Sequence, residues 1–148
     1  MSDFQDAMAF WEDKVGHKLF NFVGTWSGGA PYSGNPANPD VIAANILFFA
    51  NPWPFAGNLA GQTVVRSNNS QITNSMVMIN PGIGYCAGDC VGQNYLTSER
   101  KTFTHELGHF LGLLHVQDPA NIMYPSIQPG GSLASVSVDM NTLLSLTN

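Results

Sequence analysis

Phe4, Met8, Trp11 and Val15 recur at helical intervals among polar residues, and Ser2 and Gln5 stand at capping-box spacing ahead of them. Residues 2–15 therefore predict an amphipathic helix that stops at Gly16. Leu19 to Val23 is short and mostly apolar, and predicts a first strand. Ala44 to Phe49 predicts a buried strand, and Thr63 to Arg66 and Ile72 to Asn80 predict two more. Residues 24–40 hold four Gly and three Pro and predict a long surface loop, as do Asn51 to Gly61, with Pro52 and Pro54, and residues 82–95. Helical periodicity returns at Thr97 or Ser98, either of which suits the N-cap. Glu99 falls in the first turn, and Phe103, Leu107, Phe110 and Leu111 form the apolar stripe. Ser137 predicts the cap of a last helix, with Asp139 in its first turn and Met140, Leu143, Leu144 and Leu146 as packing residues. Helices at both ends with strands between them make this a mixed α/β (α+β) chain.

Size and charge narrow the function. A chain of 148 residues suits one domain spanning 1–148, and 44% hydrophobic content supports an ordinary core. Charged residues are only 10%, and the net charge of −5 argues against a basic groove for nucleic acid or anionic lipid. The longest apolar stretch, Val41 to Ala50, is broken by Asn45 and falls short of the roughly 18 residues of a membrane span. The composition thus argues for no nucleic-acid partner and no membrane partner. Its oligomeric state leaves no mark on the sequence. The start, Met1-Ser2-Asp3-Phe4-Gln5-Asp6, lacks the basic and apolar segments of a signal peptide. That fits a secreted, extracellular mature domain or an intracellular or particle-associated protein. Cys86 and Cys90, four apart, suit a local disulfide in an oxidising compartment or two free thiols in a reducing one.

The chemistry lies in one segment. His105-Glu106-Leu107-Gly108-His109-Phe110-Leu111-Gly112-Leu113-Leu114-His115 reads H-E-x-x-H-x-x-G-x-x-H. Five specified positions arise by chance on the order of once in three million starts. On a helix, His105 and His109 stand one turn apart on the same face, about 6 Å along the axis. Both imidazoles can then reach one ion at about 2.0 to 2.1 Å. Gly112 suits the left-handed end of that helix, after which the chain can bring His115 round as third ligand. Three imidazoles and an open fourth position describe a catalytic zinc site rather than a closed structural one. Glu106, next to the first ligand, lies near the metal without having to be a ligand. His17, after Gly16, reads as a surface residue or a partner of the helix dipole.

That motif, followed by Asn121-Ile122-Met123-Tyr124-Pro125, resembles the metzincin metallopeptidases with their Met-turn, and is most similar to the matrixins. The specific match covers residues 105–125. The resemblance implies a zincin-like catalytic domain: a small twisted mixed sheet, an active-site helix, and helices at the N- and C-termini. It implies His105, His109 and His115 as ligands of one Zn2+, Glu106 as general base and Met123 as the apolar floor beneath the metal. It further implies an extended peptide or protein substrate docked on an edge strand, Ile72 to Asn80, with Ile72, Met76 and Met78 among the contacts. Pro125, Ser126 and Ile127 would wall the pocket beside the scissile bond. Leu113, Leu114 and Ile127 suggest an apolar substrate side chain there. Tyr124 directly follows Met123, so the Met-x-Tyr pattern of astacins and serralysins is not matched. Ca2+ enters only through Asp89, in its Gly-containing loop.

Two functions follow. The first is a zinc-dependent endopeptidase. The second, from low charge and the missing signal segment, is a zinc-containing structural or assembly module of a larger particle, with proteolysis vestigial or limited to maturation. An intact Glu106 favours the first.

Overall fold

Helix α1, Ser2–Val15, forms where the sequence places it, with Ala7, Met8 and Trp11 buried on one face. Gly16 ends it at φ +77°, donating its amide to Glu12 O at 2.8 Å. The computed structural model describes residues 2–27, 45–69, 71–93, 95–127, 129–130 and 132–148. Most of the loop expected over 24–40, together with Ala44 and Tyr32, lies outside the described residues. The chain falls into two compact units, Phe22–Ile83 and the combination of Met1–Asn21 with Gly84–Asn148.

Leu19 to Val23 is not a strand. The amides of Leu19 and Phe20 donate instead to the Glu12 carboxylate at 3.2 and 3.0 Å. A side chain thus satisfies backbone groups that a sheet would otherwise have to take up. Those bonds and the Lys18 ammonium, 3.1 Å away, lower the Glu12 pKa against the desolvation that would raise it.

The unit of Phe22–Ile83 carries a mixed three-stranded sheet of β1 (Ile46–Phe49), β2 (Gly61–Asn68) and β3 (Gln71–Ile79), in the order β1-β3-β2. β1 runs parallel to β3, pairing Ile46 with Met76 through Phe49 with Ile79. β2 runs antiparallel to β3, with an irregularity between Arg66 and Ser67. Asn45 Oδ1 fixes the entry to β1 by accepting the Ser75 amide at 2.9 Å. Ala50, Met76 and Met78 form the buried centre, with Phe48, Trp53 and Phe55 packed against it.

This topology corrects the edge-strand expectation. β3 is the middle strand, and residues 76–79 are paired on both sides. Met76 and Met78 are fully buried, so neither can meet a docking peptide, whereas Ile72, paired with Ser67, is exposed. The apolar run Met76-Val77-Met78-Ile79 is buried on both faces, as suits a central strand. Polar Gln62, Thr63, Arg66, Ser67 and Asn68 mark β2 as an outer one.

In the other unit, Tyr85–Cys86 (β4) and Thr97–Ser98 (β5) form a short parallel pair that leads directly into α2, Glu99–Phe110. Ser98 caps α2, its side chain accepting the Lys101 amide at 3.1 Å. α1 packs along α2: Phe4 meets Phe103 edge-on at 5.9 Å, and Trp11 Nε1 donates to Thr104 O at 2.9 Å. Burying the whole Trp11 ring contributes roughly 1.5–3 kcal/mol. Cys86 and Cys90 are joined in a disulfide. The loop it closes presents the Gly88 amide to Asp3, at 3.0 Å from Oδ2. Arg100, on α2, donates to Asp3 at 3.1 Å and pairs with Asp6 at 2.7 Å.

The last helix, α3, spans Met140–Thr147 and is capped by Asp139, not Ser137. Asp139 accepts the amides of Asn141 and Thr142 and the Thr142 hydroxyl, and these bonds, led by the hydroxyl, lower its pKa. Ser137 instead bridges to Asn121 and donates its hydroxyl to Asp118. No helix among the described residues is long and apolar enough to cross a membrane.

Candidate metal centre

α2 carries His105 and His109 one turn apart on one face. It ends in a Schellman motif: Gly112, at φ +98°, donates its amide to His109 O, and Leu113 donates to Gly108 O, both at 2.9 Å. The left-handed glycine reverses the chain within three residues of His115. His115 Nε2 then lies 3.2 Å from His105 Nε2 and 3.0 Å from His109 Nε2.

The tautomers give those distances their meaning. His105 Nδ1 lies 2.7 Å from Ile122 O, and His109 Nδ1 lies 2.7 Å from Leu113 O. A carbonyl only accepts, so each Nδ1 carries the proton and each Nε2 points a lone pair at the shared centre. Lone pairs from His105 and His109 directed at the His115 ring nitrogen suit a shared cation. Three nitrogens bound at about 2.0 to 2.1 Å around a tetrahedral ion lie about 3.3 to 3.4 Å apart. The two distances to His115 are close to that, and the donor set, within 4.8 Å, fits one Zn2+. The carbonyls of Ile122 and Leu113 fix the ring orientation that sequence spacing leaves free.

Burial keeps these rings neutral. His105 is buried, and desolvation chiefly pushes its pKa down to about 4; the charges of His109 and His115 act the same way, against the Ile122 hydrogen bond. Desolvation also lowers His109. Neutral imidazole is the ligand form. Glu106 sits next to His105 on the helix and is itself buried. The Tyr85 phenol is held protonated by burial and by the negative charges of Glu99 and Glu106.

Met123 is buried, in a turn pinned by Asn121, whose Oδ1 accepts the Met123 amide at 2.9 Å. Val116 N donates to Met123 O at 3.1 Å, which ties the turn to the residue after the third ligand. Ser126 and Ile127 line a small cleft beside this turn, with Tyr124, Ile122 and Lys101; Pro125 is exposed and does not line it. Of the residues tied to an apolar substrate side chain, Leu113 is buried and Leu114 largely exposed, and neither lines the cleft. Spacing on the helix, one turn before His105, could have singled out Lys101. Asp89, the calcium candidate, lies 3.4 Å from Arg100 Nη1. His17 is exposed.

The matrixin family profile matches residues 48–145, well over half of the chain. An uncharacterized protein of Acanthamoeba polyphaga mimivirus is 35% identical over 101 residues, covering 68% of this chain and 10% of that protein. The chain thus spans about a tenth of the length of the curated relative it matches.

Proposed function

The chain belongs to the matrixin family, and we propose that it acts as a zinc-dependent endopeptidase with Glu106 as general base. The observation that carries the reading is the convergence of His105 and His109 Nε2 on His115 Nε2, at 3.2 and 3.0 Å, with all three ligand atoms within 4.8 Å of one another and a carboxylate on the adjacent helical position. Zinc, when bound, would supply Lewis acidity and lower the pKa of water toward about 7. His105, His109 and His115 would hold it, with the Ile122 and Leu113 carbonyls keeping Nδ1 protonated on the first two. Glu106 accepts a proton from the attacking water and returns it to the leaving amine. Met123 keeps the floor of the site apolar and dry.

The substrate in this reading is an extended peptide or protein segment. The Cys86–Cys90 disulfide supports an oxidising setting, such as the extracellular medium or a particle surface. One zinc per chain suffices for this chemistry.

The test is incubation of the zinc-loaded protein with casein and a peptide library, with and without chelator. Cleavage that chelator abolishes and added zinc restores is expected. A zinc-replete protein that cuts nothing would instead support the structural or assembly module.

A further inference from the structure

We propose that Lys101 determines specificity at this site by selecting an acidic side chain, Asp or Glu, at the substrate position directly after the scissile bond; the inference rests on the peptidase reading above. The cleft that Lys101 lines, with Ile122, Tyr124, Ser126 and Ile127 among its walls, adjoins the metal centre through two links. Ile122 contributes a wall residue and also the carbonyl that orients His105. Lys101 precedes His105 by one helical turn, so it stands on the ligand-bearing face of α2.

Charge argues for the ligand. Lys101 is 7% exposed, and its Nζ donates to the neutral Gly130 carbonyl at 2.6 Å. No carboxylate of the described residues pairs with it. The carboxylate whose field reaches it, Asp89, lies against Arg100. An ammonium has three donors and no acceptor, and among the described residues only the Gly130 bond uses one of them. A buried cation without a counter-ion is costly, and an incoming carboxylate would relieve that cost through short, charge-assisted bonds. Desolvation of Lys101, which lowers its pKa, has the same origin.

Size argues the same way. The cleft holds about 40 Å³, on the order of three water-sized probes at about 10–15 Å³ each. A carboxylate head fits that space.

Matched peptides carrying Glu, Gln, Leu or Lys at this position test the proposal on the zinc-loaded full chain. The Glu peptide should exceed its Gln isostere at least tenfold in kcat/KM. Lys101→Met should bring that ratio close to one, and Lys101→Arg should keep the ratio. Lys101→Gln replaces the Met variant if the latter does not fold. Peptide affinities of the zinc-loaded Glu106→Ala protein give a readout independent of turnover and should show the same order. Equal handling of Glu and Gln by the unaltered chain, or a ratio that survives Lys101→Met, overturns the role of Lys101 while leaving the peptidase intact. Absence of all cleavage overturns the peptidase reading, and the binding ratio then decides on Lys101 alone.

Discussion

The sulfur of Met123 occupies the space that a side-chain carbon on Gly108 would need. A Cβ at that position would collide with Met123 Sδ and come within 3.0 Å of both Met123 Cε and Trp11 Cζ2. The helix that carries the ligands can press onto the Met-turn and onto α1 only because residue 108 has no side chain. Gly108 lies between Glu106 and His109, so this close approach sets the depth at which the metal site sits.

Gly108→Ala is therefore expected to destabilise the protein by about 1–3 kcal/mol through overpacking, despite the better helix propensity of alanine. Zinc affinity should fall with it. Urea denaturation and a zinc competition titration check both, and an unchanged midpoint would show that the Met-turn yields freely.

Glu106→Ala should keep its zinc and lose proteolysis by a factor on the order of 10² to 10⁴, the usual contribution of a positioned base. Elemental analysis beside a peptide assay separates the two. Full activity in this variant would falsify the assignment of the base.

His109→Ala should lose the metal. It removes one of three converging nitrogens and leaves the Leu113 carbonyl without its imidazole partner. Zinc content at stoichiometry after dialysis is the outcome that contradicts this.

Acid should empty the site. In the unfolded chain His105 binds its proton near 6.5, but in the folded, metal-free protein only near 4. Between those values the unfolded state holds more protons, so the stability contributed by neutral His105 is fully present above about 6.5 and is lost as pH falls toward 4. His109 shifts in the same direction. Thermal melting of the metal-free protein across this interval should show a falling Tm, and the loaded protein should release zinc as protons compete for its ligands. A Tm independent of pH here contradicts the burial of these rings in neutral form.

Arg100→Met should loosen the junction of α1 with α2. Asp3 is buried and accepts from both Arg100 and the Gly88 amide. Removing the cation leaves that carboxylate with one fewer donor, at a cost of about 1–3 kcal/mol. Chemical denaturation measures it, and a change below about 0.5 kcal/mol would place the junction's stability in Phe4, Trp11 and Phe103 instead.

What the sequence determined by itself was everything that depends on residues a few positions apart. The period of a helix puts His105 over His109, Gly112 ends that helix because its φ of +98° suits glycine, and Ser98 caps the other end within three residues of its acceptor role. Such relations are fixed by the covalent chain, and the clustering of the three histidines with Glu106 beside them was legible for that reason. Only the tertiary structure decided which neighbour a segment takes when several are chemically acceptable. The run Ile72 to Asn80 reads as a strand from its alternation and apolar content, yet its central place follows from β1 and β2 both pairing with it across long sequence separations. Leu19 to Val23 reads as a strand too, and Glu12 took its first amides instead. Asp139 displaced Ser137 as the cap because Ser137 was drawn to Asn121 and Asp118. Lys101, an ordinary helix residue on paper, acquired its place in a cleft wall from Tyr124 to Ile127 folding back beside it. Local geometry is specified by bond lengths and steric limits, whereas long-range pairing is settled by the competition of all segments for the same buried surface.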